Sequence, residues 1–396
     1  MRLKILVVTN RPPDPRGTGD AKVAQEVIES FANAGHKVVN LQLHRPGLSR
    51  TCVQIVAALL RGEPLQFGLV RSAALRKTLE RHDGERADVV AAVHIRVAFQ
   101  IPAELRPRAV ALIIDSYGLS YETYQRVASW PARLLYRWEA RRMVRQERIV
   151  CSEFARTVVL SKADQRFLRR HSIWPERIVR LPYAVDIEYF SATARVPDPT
   201  RPVLLFIGRL GYFPNRDAVR ELITRVWPRI KKERPNAVLR VVGAHPERST
   251  LELARRHGVQ VEANVPDVRI ALGSATAMVV PMRVGGGIQS KILEAMAARV
   301  PIICSAFANE GIGALPGYHL LIANTPAEFA IQVRRLTSET HLASNLTEAA
   351  RTWVEEEHAP NRFRDGLLRL CDALLAPGGQ QPERPKEDGE AGAMPF

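Results

Sequence analysis

The sequence predicts an α/β protein built from two Rossmann-like, doubly wound domains that face each other across a cleft. Three observations carry this. Short, continuous apolar runs rich in β-branched residues alternate with helical patterns, as expected for parallel strands buried on both faces. The series occurs twice, with an irregular stretch between. The chain, at 396 residues, is long for one core and suits two domains of ordinary size.

The first series places strands at Ile5–Thr9, Val38–Leu43, Asp88–His94, Val110–Asp115, Arg148–Cys151 and Thr157–Ser161. The second places them at Val203–Gly208, Val238–Gly243, Val259–Glu262, Ala277–Met282, Pro301–Ser305 and Leu320–Ala323. Between the two series, DIEYFSATARVPDPTRP combines Pro, Ser and Thr with little periodicity and reads as a linker. The expected organisation is a domain over 1–185, a linker over 186–202, a second domain over 203–355 and a terminal helix within 356–375. That helix repeats Phe363, Leu367, Leu370 and Leu374 at helical spacing and is placed to cross back to the first domain. The tail, 376–396, has too few large apolar residues to fold and is expected to be disordered.

Hydrophobic content of 46% and charged content of 25% are those of a soluble globular protein. No apolar run reaches the about 18 residues that span a bilayer. The opening MRLKILVVTN turns polar too early for a secretory signal and reads as a buried strand. Cys52, Cys151, Cys304 and Cys371 are scattered, which suits reduced thiols in a cytoplasmic protein and no metal site. The net charge of +16 is concentrated: residues 131–180 hold thirteen Lys/Arg against five Asp/Glu. Such an excess is either a solvated Arg-rich surface or a face for an anionic partner, such as a membrane, a lipid phosphate or a diphosphate. Aromatic interleaving is too thin for a nucleic-acid module.

Ligands of doubly wound sheets bind beyond the carboxyl ends of the strands, so functional residues should follow strands directly. The strongest segment is Pro281–Pro301, PMRVGGGIQSKILEAMAARVP. Gly285, Gly286 and Gly287 precede a helix expected to begin near Ile288 or Gln289. Glycines there let backbone N–H groups approach an anion, and the helix dipole favours negative charge. Lys291 is a cation in the first turn, where the dipole opposes it, and a bound phosphate would explain it. Glu294 shares its face and suits sugar hydroxyls. Alone, such a turn is equally the pattern of a flexible loop with an exposed Lys–Glu pair.

The wider pattern resembles the family 4 retaining glycosyltransferases of the group 1, GT-B type. The donor motif matches at Pro281, Gly285, Gly287, Lys291, Leu293, Glu294, Ala295, Met296, Ala297 and Pro301. Leu204–Gly243 resembles the opening strand–loop–helix–strand of the family's C-terminal domain, Val179–Phe190 its linker, and Val7–Val38 its N-terminal strand, Gly-containing loop and helix.

The resemblance implies a nucleoside diphosphate sugar as donor, no cofactor or metal, and transfer through a loose, cation-like sugar attacked on the leaving-group face. Glu294 matches the glutamate that bonds the ribose. Arg209 matches a basic residue that pairs with the diphosphate, a task suited to a planar guanidinium. Gly208 permits close approach, while Lys291, Gly287, Ile288 and Gln289 face the phosphates and the sugar. Asn264–Asp267 would lie by the base. Gly17 and Gly19 match the loop that approaches donor and acceptor, and His94 matches the active-site histidine at a strand end. His94 is equally a satisfied core histidine in a reading without function. Asp115 is read as a cap of the following turn, with contact to the acceptor as the alternative. Glu139 is read as a surface ion-pair residue, with Tyr136 and Trp138 in reach of an acceptor.

Three positions depart from the family pattern. The first of its two motif glutamates, which have seven residues between them, falls on Gly286. The basic residue usually found after Arg209 falls near Asn215 or Arg216. The glycine that usually caps the motif helix is Arg299, which must either adopt a positive φ at a cost of about 1 kcal/mol or avoid that conformation. Gly286 also motivates a different class of function, a nucleotide-sugar binder without transferase activity. A GT-B hydrolase or epimerase is a further alternative. An NAD dehydrogenase is disfavoured, because Arg16–Asp20 lacks the third glycine and Asn40 or Gln42 stands where an acid is expected.

For the acceptor, the basic stretch 131–180 with Trp130, Leu134 and Leu135 suits an anionic membrane bearing a lipid-linked sugar, on the inner face of the cell membrane. The alternatives are a core-facing helix with a basic outer face and a soluble metabolite as acceptor.

Overall fold

The computed structural model describes residues 2–43, 47–83, 87–198 and 200–376. The expected disordered tail lies, from Pro377 on, outside the described residues.

Two parallel six-stranded sheets organise the chain. The first contains β1 (Lys4–Thr9), β2 (Lys37–Gln42), β3 (Val89–Val93), β4 (Ala109–Ile113), β5 (Arg156–Val159) and β6 (Ile178–Arg180), in the order β2-β1-β3-β4-β5-β6. The second contains β7 (Val203–Ile207), β8 (Val238–Gly243), β9 (Gln260–Ala263), β10 (Ala277–Val280), β11 (Ile302–Cys304) and β12 (Leu321–Ile322), in the order β12-β11-β10-β7-β8-β9. Alternation along β1 shows why the strands read as continuous apolar runs. Ile5 and Val7 enter one hydrophobic cluster, and Leu6 and Val8 enter another on the opposite face.

The helices that position the site and its surroundings are α1 (Gly19–Asn33), α2 (Leu48–Leu60), α3 (Tyr117–Tyr124), α4 (Trp130–Glu153), α5 (Lys162–His171), α6 (Phe213–Glu221), α7 (Ser290–Ala297) and α8 (Pro360–Leu375). The last of these, α8, packs on α1, and Gly366 leaves room for Leu181 beside β6. Two bonds fix this return of the chain: Val185 N donates to His358 O at 2.9 Å, and His358 Nδ1 lies 2.9 Å from Tyr183 O. No helix among the described residues is long and apolar enough to cross a membrane.

Several expectations are corrected. Arg148–Cys151 is no strand but lies near the end of α4, because a three-residue apolar run, Ile149–Cys151, inside a helix has the same local pattern as a short strand. The sixth strand of the first sheet is β6, too short to stand out in the sequence. The linker region contains a short helix, Ile187–Ser191. The motif helix starts at Ser290, with Gln289 as its N-cap. Arg299 does adopt the left-handed conformation, at φ 56°, where a glycine usually sits. Glu139 is buried, not a surface ion-pair residue, and accepts a hydrogen bond from Leu65 N at 2.9 Å.

Candidate active site

In each sheet the chain order reverses once, between β1 and β3 in the first and between β7 and β10 in the second. Crevices in doubly wound sheets open at such switch points. The segments after these four strands hold most of the site residues expected from the sequence; Asn264–Asp267 follow β9 and Asp115 follows β4. Gly17 and Gly19 follow β1, His94 follows β3, Gly208, Arg209 and Asn215 follow β7, and the Gly285–Glu294 segment follows β10.

On the second domain, Asn215 in α6 binds two of these segments together. Its Oδ1 accepts from Lys291 Nζ at 2.6 Å and its Nδ2 donates to Arg209 O at 3.1 Å. Gly208 is required here: a Cβ on it would lie 2.9 Å from Asn215 Nδ2. Lys291 is enclosed by Asn215, Gln289 and the ring of Phe206, and burial pulls its ammonium down to about 7, partly offset by Glu294. Arg209 is exposed, and among the described residues its guanidinium has no ion-pair partner. Arg283 is committed elsewhere, in a two-pronged pair with Asp217. Asn215, not Arg216, thus faces the lysine; Arg216 pairs with Glu247.

The glycine loop is pressed against the first domain. Gly285 and Gly287 have φ of 134° and 71°, which L side chains rarely adopt. Gly285 N donates to Thr123 Oγ1 at 2.9 Å, and Gly287 N to Asp164 Oδ1 at 3.4 Å. A Cβ on Gly286 would lie 2.5 Å from Ser120 Oγ and 3.0 Å from Ser116 O. The missing family glutamate therefore has a packing cause, since the start of α3 fills its place. A Cβ on Gly287 would fall onto the Asp115 carboxyl group.

Asp115 is not the cap expected of it; Ser116 caps α3 through Leu119 N at 3.1 Å. Its carboxyl group is left facing Gly287, and among the described residues it makes no hydrogen bond. Burial, then Asp164 and Asp20, push it up to about 7. Behind it stands an acidic network that the sequence did not disclose. Asp164 accepts from Ser161 Oγ at 2.5 Å and Ser116 N at 3.2 Å. Glu147 accepts from Ser116 Oγ at 3.0 Å and Gly118 N at 3.2 Å. Burial raises Asp164 to about 6 and Glu147 to about 8.

His94 is buried at the end of β3 with φ 97°, a strained conformation for a non-glycine residue. Its Nδ1 accepts from Arg96 N at 3.1 Å, which leaves the proton on Nε2, 3.5 Å from Tyr117 Oη. Burial and then Arg96 lower its pKa to about 3, so the ring is a neutral donor. The Gly17–Gly19 loop leads into α1, whose first-turn Lys22 was not anticipated. Lys22 Nζ reaches across the cleft to Glu294 Oε1 at 2.6 Å, and Glu294 holds it above the ordinary lysine range against the effect of burial. The signal was available: Lys22, like Lys291, is a cation in the first turn of a helix. Asn264, at φ 54°, and Asp267, paired with Arg269 and Tyr189, lie beyond β9, away from the glycine loop's contacts.

Residues 201–339 match the family model described as glycosyl transferases group 1, and residues 18–184 that of the glycosyl transferase 4-like domain. No curated protein sequence matches the chain. Among solved structures, sucrose-phosphate synthase from Thermosynechococcus elongatus is 17% identical with a TM-score of 0.70, over 94% of this chain and 99% of that one. Anabaena HepE in complex with UDP and glucose is 12% identical with a TM-score of 0.67, over 94% and 100%. TarM of S. aureus is 13% identical with a TM-score of 0.58, over 76% and 58%. At such identities the likeness is one of fold, and that fold is GT-B.

Proposed function

This chain belongs to the group 1 glycosyltransferases, and from that premise we propose that it moves a sugar from a nucleoside diphosphate sugar to an acceptor with retention at the anomeric carbon. The observation that carries the reading is the Asn215 bridge, which sets Lys291 and the Arg209 segment side by side where two helices begin. As the bond from the anomeric carbon to the diphosphate breaks, negative charge grows on the departing oxygen. Arg209, Lys291 and the N–H groups at the start of α7 offset that charge, with no metal invoked. Glu294 takes the ribose hydroxyls, releasing Lys22. The neutral His94 and Asp115 face the transferred sugar from the first domain, and Asp115 supplies the carboxyl group that Gly286 cannot. The acceptor oxygen bonds to the anomeric carbon on the face the diphosphate leaves, and its proton passes to the departing phosphate oxygen.

HepE has been solved with UDP and with UDP-glucose, which favours a nucleotide of this kind as donor. For the acceptor, we favour a glycolipid or growing polysaccharide presented at an anionic membrane over a soluble metabolite. The test is a screen of nucleoside diphosphate sugars against acceptor extracts, read by mass, with the anomeric coupling of the product measured by proton NMR. A product with the donor's configuration is expected. An inverted product contradicts retention, and free sugar alone makes the protein a hydrolase.

A further inference from the structure

Five of the chain's eight tyrosines, Tyr117, Tyr121, Tyr124, Tyr136 and Tyr212, gather with Phe213 where the two domains meet. The row begins beside His94, whose ring lies 5.6 Å from that of Tyr117. It continues along α3 to Tyr121 at 6.0 Å, crosses to Tyr136 on α4 at 5.9 Å, and ends on Phe213 of the other domain at 5.9 Å. Phe213 opens α6, directly after the Arg209 segment. The row therefore joins the first-domain wall of the transfer site to the Arg209 segment of the second domain. Trp138 is no part of it, because Arg142 covers its ring at 3.4 Å.

Tyr124 backs the row. It is buried, and its ring stands steeply against those of Tyr121, Tyr136 and Phe213, at 80°, 77° and 71°. Its hydroxyl lies 3.1 Å from Tyr212 Oη. The three rings it touches are close in orientation, with 20° between Tyr121 and Tyr136 and 35° between Tyr136 and Phe213. Each of them, like Tyr117, is half-buried and keeps part of its surface in solvent. Tyr136 and Phe213 belong to neither hydrophobic core. Among the described residues the Tyr121 and Tyr136 hydroxyls make no hydrogen bond, and neither is sealed from solvent. A dry packing cluster needs no hydroxyl, and phenylalanine would fill it; an open phenol beside a ring face suits a ligand that is polar at its rim.

Building on the transferase reading, we propose that Tyr117, Tyr121, Tyr136 and Phe213 bind the acceptor, and that the acceptor is a glycan with at least one sugar beyond the one that reacts. A pyranose presents an apolar C–H face and a rim of hydroxyls. Ring faces take the first, and the free phenol groups take the second. A single sugar is held at His94 alone; the row leads three rings further and gives the next sugars a place. An isoprenoid or aryl acceptor would press apolar surface against the Tyr121 and Tyr136 hydroxyls and leave them unpaired. Arg96, 5.2 Å from the Tyr117 ring centre and bonded to Gln66 Oε1 at 3.3 Å, adds donors at the reacting end.

The test separates this surface from the donor site. Fluorescently labelled mono- to hexasaccharides, made by partial hydrolysis of the native cell's polysaccharides, are titrated into the full chain, with prenyl phosphate and nitrophenol as competitors. Nucleoside diphosphate affinity is measured in parallel. Affinity is expected to rise from monosaccharide to longer glycan. Tyr121→Ala and Tyr136→Ala should each weaken the longer glycans about tenfold and leave the monosaccharides and the nucleoside diphosphate unchanged. Tyr136→Phe, which keeps the ring, should fall between. In transfer assays the loss should appear in the acceptor KM. Affinity that does not grow with length, displacement by the prenyl or aryl competitor, or alanine variants that bind every glycan as before overturns the proposal. So does a variant with a lowered melting temperature that loses nucleotide and all glycans alike, the mark of a packing cluster. Nucleoside diphosphate binding without glycan binding overturns this proposal and leaves the transferase reading standing; glycan binding without nucleotide does the reverse.

Discussion

Lys22 and Glu294 form an ion pair of 2.6 Å that joins the first helix of one domain to the motif helix of the other. Both side chains are largely enclosed, so the pair is screened less than a surface bridge. In the proposed function it occupies the carboxylate that would take the ribose hydroxyls. Lys22→Met is expected to lower unfolding stability by about 1–3 kcal/mol. It should also tighten nucleoside diphosphate binding several-fold, since the ribose no longer displaces a cation. Denaturant titration and calorimetric titration check the two halves separately, and weaker binding would make Lys22 part of the phosphate site.

Asp115 faces Gly287 with its carboxyl group raised to about 7. An acid whose folded pKa lies above its unfolded value destabilises the fold increasingly as pH rises from the unfolded pKa to the folded one. Asp115→Asn is therefore expected to stabilise the protein, by an amount that grows from about pH 4 to about pH 7 and then levels. The same change should cut transfer by at least about tenfold, the pattern of a group kept for function at a cost in stability. Thermal melts across pH and initial rates check both; a variant that is more stable and fully active would remove Asp115 from the site.

Restoring the family glutamate should not restore a better enzyme. At Gly286 a side chain meets Ser120 Oγ at 2.5 Å. Gly286→Glu is expected to push the domains apart and abolish transfer, whereas Gly286→Glu with Ser120→Gly should recover part of it. Small-angle scattering and rate measurements on the two variants are the check.

Arg299 holds φ 56° at the end of α7. Glycine adopts that conformation without a Cβ penalty, so Arg299→Gly should stabilise the protein by about 0.5–1 kcal/mol with donor binding unchanged. Denaturant midpoints at constant slope decide it.

Every strand but β6 was legible, because parallel strands buried on both faces leave continuous apolar runs such as Val89–Val93 and Val203–Ile207. Lys291 and the glycine loop were legible because they depart from helix-terminus and φ preferences, which are local rules. Asp164 and Glu147 were not, because their partners Gly287 and Ser116 are distant in sequence and no periodicity joins them. Asp115 was misread for a related reason. Its neighbour Ser116 competes for the same cap, and sequence alone does not say which side chain turns inward. The fate of Gly286 lay beyond sequence altogether, being set by an α3 serine on the opposite domain.

The most direct test of the central claim is calorimetric titration of a nucleoside diphosphate into the protein, into Glu294→Ala and into Lys291→Met, at pH 6 and pH 8. Burial draws the Lys291 ammonium down to about 7, so the unsubstituted protein should bind more tightly at pH 6 than at pH 8. Glu294→Ala should lose at least about tenfold in affinity at both pH values, and Lys291→Met should lose the pH dependence. Absence of binding to the unsubstituted protein, or affinities that neither substitution changes, would contradict a nucleotide-sugar site at Gly285–Glu294.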